Sequence, residues 1–455
     1  MSAGTIAAIA TPQSAGGIGI IRISGENALS VADSIFMPVG NKKPGELPGY
    51  RALYGRVVDG DQPIDEAVCL VFRAPHSYTG ENVAEICCHG GLYITKRVLQ
   101  AVLSAGAVPA QPGEFTKRAF LNGKIDLSEA EAVMSLISAR GEQAANAALN
   151  ALDGALSREI SAAAQVLVGH CAHIAAWVDY PDEEIEDIEL QRLLQDMKTV
   201  RAKLAALLER FDSGRAVLEG VDTVIAGRPN VGKSTLMNLL AGCERSIVTS
   251  CAGTTRDIVE ETVKLGNVVL RLADTAGIRD TENPVEIIGV ELARKRLARA
   301  ELALIVFDGS QPLTEEDKAL LDACEGKRSV AIINKTDLPF VTDREYIRSR
   351  ADRVVEISAL DPGSAESLSR CVEELLGTED FDSSAAMLAN ERQRRCCLNA
   401  VQSLDEGIRA LESGMTLDAV NVCMDSAVDA LLELTGQRAG EAVVDEIFSR
   451  FCVGK

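Results

Sequence analysis

No run of roughly 18 or more uninterrupted apolar residues occurs in the sequence, so it gives no indication of a membrane-spanning helix. It also lacks a basic leader ahead of an apolar stretch. Pro12 and Gly16-Gly17 interrupt the apolar segments of residues 1–23, and no signal peptide is expected. Its twelve cysteines contain no CxxC pair, which argues against a zinc ribbon or a thioredoxin-like centre. Reduced, core-filling thiols and a cytoplasmic location are the expectation. Positive charge is scarce: 46 Lys and Arg stand against 67 Asp and Glu, a net charge of −21. That balance opposes indiscriminate binding to nucleic acid or anionic membranes. An RNA partner would have to meet a second protein or a local basic patch, of which Asn390–Arg395, NERQRR, is the clearest. His170, Cys171 and His173 lie in an Ala-rich helical stretch and read as packing rather than metal ligands.

What is present centres on Val221–Leu240, VDTVIAGRPNVGKSTLMNLL. Val221, Val224, Ile225 and Ala226 form a short apolar run suited to a parallel strand buried on both faces, and Gly227 ends it. Gly227-x4-Gly232-Lys233-Ser234 then has the spacing of a phosphate loop. Glycines let backbone N–H groups curl around phosphates, Lys233 neutralises the β- and γ-phosphates, and Ser234 offers its hydroxyl to Mg²⁺. The expected cradle is Asn230, Val231, Gly232, Lys233, Ser234 and Thr235, with a helix from about Lys233 to Leu240 aiming its N-terminus at the same phosphates.

Three further motifs follow in order, each behind an expected strand. Asp274-Thr275-Ala276-Gly277 follows Val268–Ala273, where a phosphate-loop enzyme places an aspartate near Mg²⁺ and a glycine that senses the γ-phosphate. Asn334-Lys335-Thr336-Asp337 follows Ser329–Ile333 and selects guanine, because a carboxylate at Asp337 can accept from both N1–H and the 2-amino group. Ser358-Ala359-Leu360 follows Val354–Ile357 and would back the base. GTP with Mg²⁺ is the expected ligand. Ile278 stands directly after the Gly277 position, and an apolar side chain cannot orient a hydrolytic water, so another group must.

At 455 residues the chain should divide into about three domains, since one core rarely serves more than about 250–300 residues. Residues 1–118 mix strands (Ile18–Ile23, Ala67–Phe72) with helices (Ala28–Phe36, Ile94–Ala105) and predict an α+β domain. Residues 119–215 read as part of a helical bundle, with Leu190, Leu193, Leu194, Met197, Val200, Leu204, Leu207, Leu208 and Phe211 drawing one apolar stripe along a helix. Residues 216–380 alternate strand and helix as a doubly wound α/β sheet does, and 381–455 return to helix. The α/β domain is therefore expected to be inserted between two segments of one bundle.

Several stretches carry a family resemblance over essentially the whole chain: Ala10–Gly25, TGENVAEICCHGG (Thr79–Gly91), PGEFTKRAFLNGKIDLSEAEA (Pro112–Ala132), YPDEEIE (Tyr180–Glu186) and FCVGK (Phe451–Lys455). With the nucleotide motifs, the sequence resembles the MnmE (TrmE) family of tRNA-modification GTPases. The resemblance implies an N-terminal folate-binding domain that also forms a homodimer, a helical domain and an inserted Ras-like G domain. It puts contacts to 5-formyltetrahydrofolate on Arg22, Glu85, Lys124 and Lys455, and a role in one-carbon chemistry on Cys452. It implies a heterotetrameric complex with the FAD-dependent partner MnmG, acting on C5 of the wobble uridine of certain tRNAs. For hydrolysis it implies Glu286 as the water-orienting residue and K⁺ in place of an arginine finger. The K⁺ would be held by Asn230, Thr249, Cys251 and Thr254 in a switch I segment running Thr249-Ser250-Cys251-Ala252-Gly253-Thr254-Thr255, with Mg²⁺ on Ser234 and Thr255.

Two other readings stay open on the residues alone. One is a ribosome-assembly GTPase acting as a switch, although the helical, acidic C-terminal segment has no GxxG-bearing RNA module. The other is a folate-dependent transferase regulated by GTP.

Overall fold

The computed structural model describes residues 4–179, 186–242, 261–272 and 300–455. The expected sites at Thr249, Ser250, Cys251, Ala252, Gly253, Thr254 and Thr255, at Asp274, Thr275, Ala276 and Gly277, and at Ile278 and Glu286 lie outside the described residues, as does most of Tyr180–Glu186. The chain divides into two compact units. The described part of the first is 4–134 with 428–455, and the second falls within 135–427.

The first unit is built on a seven-stranded sheet of β1 (Ile6–Ile9), β2 (Ile18–Ser24), β3 (Phe36–Pro38), β4 (Arg51–Asp59), β5 (Gln62–Phe72), β6 (Val83–His89) and β7 (Val108–Pro109), in the order β3-β4-β5-β6-β2-β1-β7. Ile21, Ile23, Cys69, Val71, Ala84 and Ile86 alternate onto one face and are fully buried against helices Ala28–Ile35 and Leu92–Ser104. Burying each large aliphatic side chain there contributes about 1.5–3 kcal/mol. Helix Glu441–Ser449 and the tail after it join this unit, where Phe448 and Phe451 pack with Leu127 and Ala130.

In the second unit, β8 (Val221–Ala226), β9 (Glu261–Leu265), β10 (Val268–Leu272), β11 (Leu302–Asp308), β12 (Arg328–Asn334) and β13 (Arg353–Glu356) form a sheet ordered β13-β12-β11-β8-β10-β9. All pairings are parallel except the β9–β10 edge hairpin, an antiparallel addition to the expected doubly wound sheet. Every residue of β11 is buried, because both faces of the sheet carry apolar clusters. The parallel strands therefore read as continuous apolar runs rather than alternating ones.

The helical part of the second unit corrects one expectation. The apolar stripe belongs to two helices, Leu190–Glu209 and Phe211–Leu218, not one. Leu193, Met197, Val200, Leu204 and Leu207 are buried, Leu190 is exposed, and Phe211 opens the second helix. Helix Ala155–Val178 is long and apolar enough by length and composition to cross a membrane. Its Leu156, Ile160, Ala163, Ala164, Leu167, Cys171 and Ile174 are buried at helical spacing, the pattern of a bundle's core helix. His170 pairs with Asp196 at 2.9 Å and His173 meets the Glu186 carbonyl at 2.9 Å. Among the described residues, no group of three or more His, Cys, Asp or Glu is placed to hold a metal ion. All described cysteines are free, and seven of them are buried.

Candidate functional site

The phosphate loop connects β8 to helix Lys233–Gly242. Gly232 has φ +101°, and a Cβ there would stand 2.1 Å from Nδ2 of Asn334, so the loop needs glycine twice over, for conformation and for space. Asn230 holds a left-handed φ of +64° without being glycine. Nζ of Lys233 donates to the carbonyls of Gly227 at 2.8 Å and Arg228 at 2.6 Å, and burial lowers its pKa from the ordinary lysine value. A half-buried ammonium held, among the described residues, by neutral carbonyls is disposed to accept an anion. Val231 is buried, Thr235 half-buried and Ser234 exposed at the start of the helix.

The guanine motif lies beside this loop. Asn334, at the end of β12, is buried; its Nδ2 donates to the Val231 carbonyl at 2.9 Å and its Oδ1 accepts from the backbone N–H of Ala359 at 2.9 Å. One amide thus ties the phosphate loop, β12 and the segment after β13 together. Lys335, at φ +66°, donates to the Asn230 carbonyl at 2.9 Å and to Oδ2 of Asp308 at 2.6 Å. Oγ of Ser358 donates to Oδ1 of Asp337 at 2.7 Å, aligning an exposed carboxylate. All the described residues expected at the nucleotide are therefore brought together: Asn230 to Thr235, Asn334, Lys335, Asp337, Ser358 and Ala359.

A second constellation forms in the first unit. Arg22 on β2 faces Glu85 on β6 in direct cross-strand register, with Nε donating to Oε1 at 2.7 Å. Both side chains are largely shielded, at 15% and 16% exposure, which makes this pair stronger than a surface one. The guanidinium lies 5.2 Å from the ring centre of Tyr78 and 5.6 Å from that of Phe115, and Nη1 donates to the Gly454 carbonyl at 3.2 Å. Gly454 has φ +96°, and a Cβ there would meet the Ile9 carbonyl at 2.4 Å, so the tail lies flat against β1. Burial pushes the Lys455 ammonium below its ordinary pKa; the Arg22 charge adds to this and the Glu85 charge opposes it. Arg22, Glu85 and Lys455 thus share one site. Lys124 donates to the Pro75 carbonyl at 3.2 Å, in the loop that carries Tyr78, and no contact joins it to Arg22. Cys452 is exposed, and its carbonyl accepts from Gly113 and Lys455.

Sequence reasoning missed four groups that shape these sites. Tyr78 and Phe115 flank Arg22, although both stand in or beside motifs singled out from the sequence. Glu81 takes Arg118 and Ser24, fixing the Thr79-Gly80-Glu81 turn next to Tyr78. Asp308 ends β11, and an acid closing a wholly apolar strand, LALIVFD, was the available signal.

Comparison with known proteins identifies the family. A family model described as the GTP-binding protein TrmE N-terminus matches residues 5–124, and one described as the MnmE helical domain matches 127–452. The tRNA modification GTPase MnmE of Alkaliphilus metalliredigens is 41% identical over 456 residues, 99% of each chain. That of Enterococcus faecalis is 42% identical over 457 residues, 99% of this chain and 98% of that one. That of Bacillus anthracis is 41% identical over 457 residues, 99% of each. Identity at this level along the whole length leads to one conclusion: the chain belongs to the MnmE family of tRNA modification GTPases.

Proposed function

We propose that this chain is the GTP-hydrolysing subunit of a complex that adds an aminomethyl-type group, carboxymethylaminomethyl, to C5 of the wobble uridine of certain tRNAs. The observation that carries the nucleotide part is the Asn334 amide, hydrogen-bonded at once to Val231 of the phosphate loop and to Ala359 beside Ser358 and Asp337. It fixes the span between a phosphate cradle and a carboxylate suited to guanine.

On this reading Mg²⁺ is assigned to Ser234, whose hydroxyl is exposed at the start of the helix after the loop, together with Thr255, and Asp274 is put near the metal. Asn230, Thr249, Cys251 and Thr254 supply the neutral oxygens that suit K⁺, which when bound adds positive charge against that gathering on the phosphates. Lys233 neutralises the β- and γ-phosphates, and Glu286 orients the water. In the first unit, a largely shielded arginine flanked by two aromatic rings with a second cation beside it suits a flat, anionic heterocycle such as 5-formyltetrahydrofolate. Arg22 and Lys455 would take its acidic groups, Glu85 would accept from its ring N–H groups, Lys124 would sit in the same loop region, and Cys452 would act at the one-carbon unit. The reading includes K⁺-dependent pairing of G domains, a homodimer, a cytoplasmic heterotetramer with MnmG, and tRNA as substrate.

The test has two arms. The purified chain should hydrolyse GTP and not ATP, with turnover rising strongly when Na⁺ is replaced by K⁺; equal rates in the two salts would remove the potassium role. Nucleoside analysis of tRNA from cells lacking the gene should reveal loss of the wobble modification, and unchanged nucleosides would overturn the reading.

A further inference from the structure

The connection between β11 and the next helix, Glu315–Ala323, carries two buried aspartates that do not belong to any nucleotide motif. Asp308 lies at its start and Asp317 just beyond its end, with side chains 3% and 2% exposed. Each meets one cation, and each cation reaches the phosphate loop.

Oδ2 of Asp308 accepts from Nζ of Lys335 at 2.6 Å, and the same Nζ donates to the Asn230 carbonyl at 2.9 Å. Oδ1 accepts from the backbone N–H of Ser310 at 2.9 Å and its hydroxyl at 2.6 Å, so the carboxylate cannot turn without losing a bond. Burial alone would push its pKa up, but the bonds from Lys335 and Ser310 and the Lys335 charge bring it below the usual carboxylate range. Asp317 accepts from Nε of Arg228 at 2.9 Å, and Arg228 is itself a residue of the loop. Oδ2 of Asp317 also accepts from the backbone N–H and the hydroxyl of Thr314, both at 2.9 Å. The carbonyl of Arg228 in turn holds Lys233. The segment is anchored independently: Thr342 donates to the carbonyl of Asp308, and Gly309 accepts from Val341 and Thr342.

Asn230 is the one non-glycine residue of the loop with a positive φ, a conformation that persists only when its surroundings impose it. Its carbonyl is held by Lys335, and Lys335 is oriented by Asp308. We propose that Asp308 and Asp317 are positioning residues that hold the phosphate loop in its nucleotide-binding shape through Lys335 and Arg228, and so set the rate at which nucleotide is released. This rests on the GTPase reading above. The segment 308–317 becomes a lever: whatever shifts it withdraws both carboxylates from the loop together.

The full-length chain, loaded with mant-GDP and chased with unlabelled GDP, tests this. Asp308→Asn and Asp317→Asn keep shape and remove charge, and each should release mant-GDP about tenfold faster, the loss of one charge-assisted bond. Because each acts through one cation, Asp308→Asn should add nothing on a Lys335→Met background, and Asp317→Asn nothing on an Arg228→Met background. A purely structural role would not be silenced in this way, since the helix-capping bonds of Asp317 to Thr314 survive in the Arg228→Met chain. Wild-type release from both Asp variants, or the same acceleration on the Met backgrounds as on wild type, overturns the proposal. Should an Asp variant fail to fold, Lys335→Met and Arg228→Met decide alone, and wild-type release from both overturns it. A wild-type chain that binds no mant-GDP overturns the GTPase reading itself, and the proposal with it.

Discussion

Around the phosphate loop the contacts run mostly to backbone carbonyls: Lys233 to Gly227 and Arg228, Lys335 to Asn230, Asn334 to Val231. Around Arg22 they run between side chains drawn from distant positions, with Glu85 on a neighbouring strand, Tyr78 and Phe115 from two connections, and a tail carbonyl 432 residues away. The first arrangement joins two short motifs, the phosphate loop and Asn334-Lys335, each of which can be specified by spacing alone. The second exists only once the sheet and the C-terminal helix have assembled. The difference teaches what each site tolerates. A backbone-built site suffers where a side chain alters loop shape or the single group that reads the base, whereas a side-chain-built site suffers wherever any one member is lost.

The largest effect that would break this comparison is at Asp337. Asp337→Asn presents a donor where guanine also donates, so preference should move from GTP to XTP, with a change of about 10⁴-fold in the ratio of affinities. Competition binding reads it, and an unchanged ratio would mean that the base is read elsewhere. Next comes Arg22→Ala, which removes the bonds to Glu85 and Gly454 together and leaves a half-buried carboxylate unpaired. It also removes the guanidinium proposed to meet the ligand's acidic group, and two charge-assisted bonds to that group of about 1.5 kcal/mol each correspond to roughly a hundredfold loss of folate affinity, with GTP turnover unaffected. Calorimetric titration with 5-formyltetrahydrofolate measures it, and wild-type affinity would show that the Arg22 cluster is only a structural joint.

The smallest effect is in acid. The Asp308 carboxyl has a folded pKa below its unfolded value, so the stability it contributes is fully present above the ordinary carboxylate range near pH 4 and is lost as pH falls through the depressed folded value. Between pH 4 and pH 2 the wild-type chain should therefore lose more stability than Asp308→Asn, which carries no such proton. Denaturant melts across that range compare the two, and parallel curves would mean that the Lys335 pair adds nothing to the folded state.

Legibility in the sequence follows the same division. The strand–loop–helix from Val221 to Gly242 was readable because its apolar run, its glycines and its helix start are contiguous, and β12 was readable because a strand buried on both faces leaves an unbroken apolar run. β4, with Arg51, Tyr54, Arg56 and Asp59 exposed, offered no comparable run, and β7 has two residues. The break at Arg210 was hidden because Phe211 continues the helical spacing into the next helix. The meeting of Arg22 with Gly454 came from no local pattern; only the resemblance brought those positions into one expectation. Asp308 and Asp317 escaped because an aspartate's role depends on the cation that the fold sets against it.

The order of strands in the second sheet has a consequence for the nascent chain. β8 is the first of its sheet to be synthesised, yet it lies between β11 and β10, both made later. When the phosphate loop leaves the ribosome its strand is unpaired, and the groups that hold it, on Asp308, Asp317, Asn334 and Lys335, are still up to about a hundred residues from being made. Non-local pairing of this kind delays folding until the late partners arrive. The tie from Val231 through Asn334 to Ala359 can therefore form only after β12 and the segment following β13 have been made.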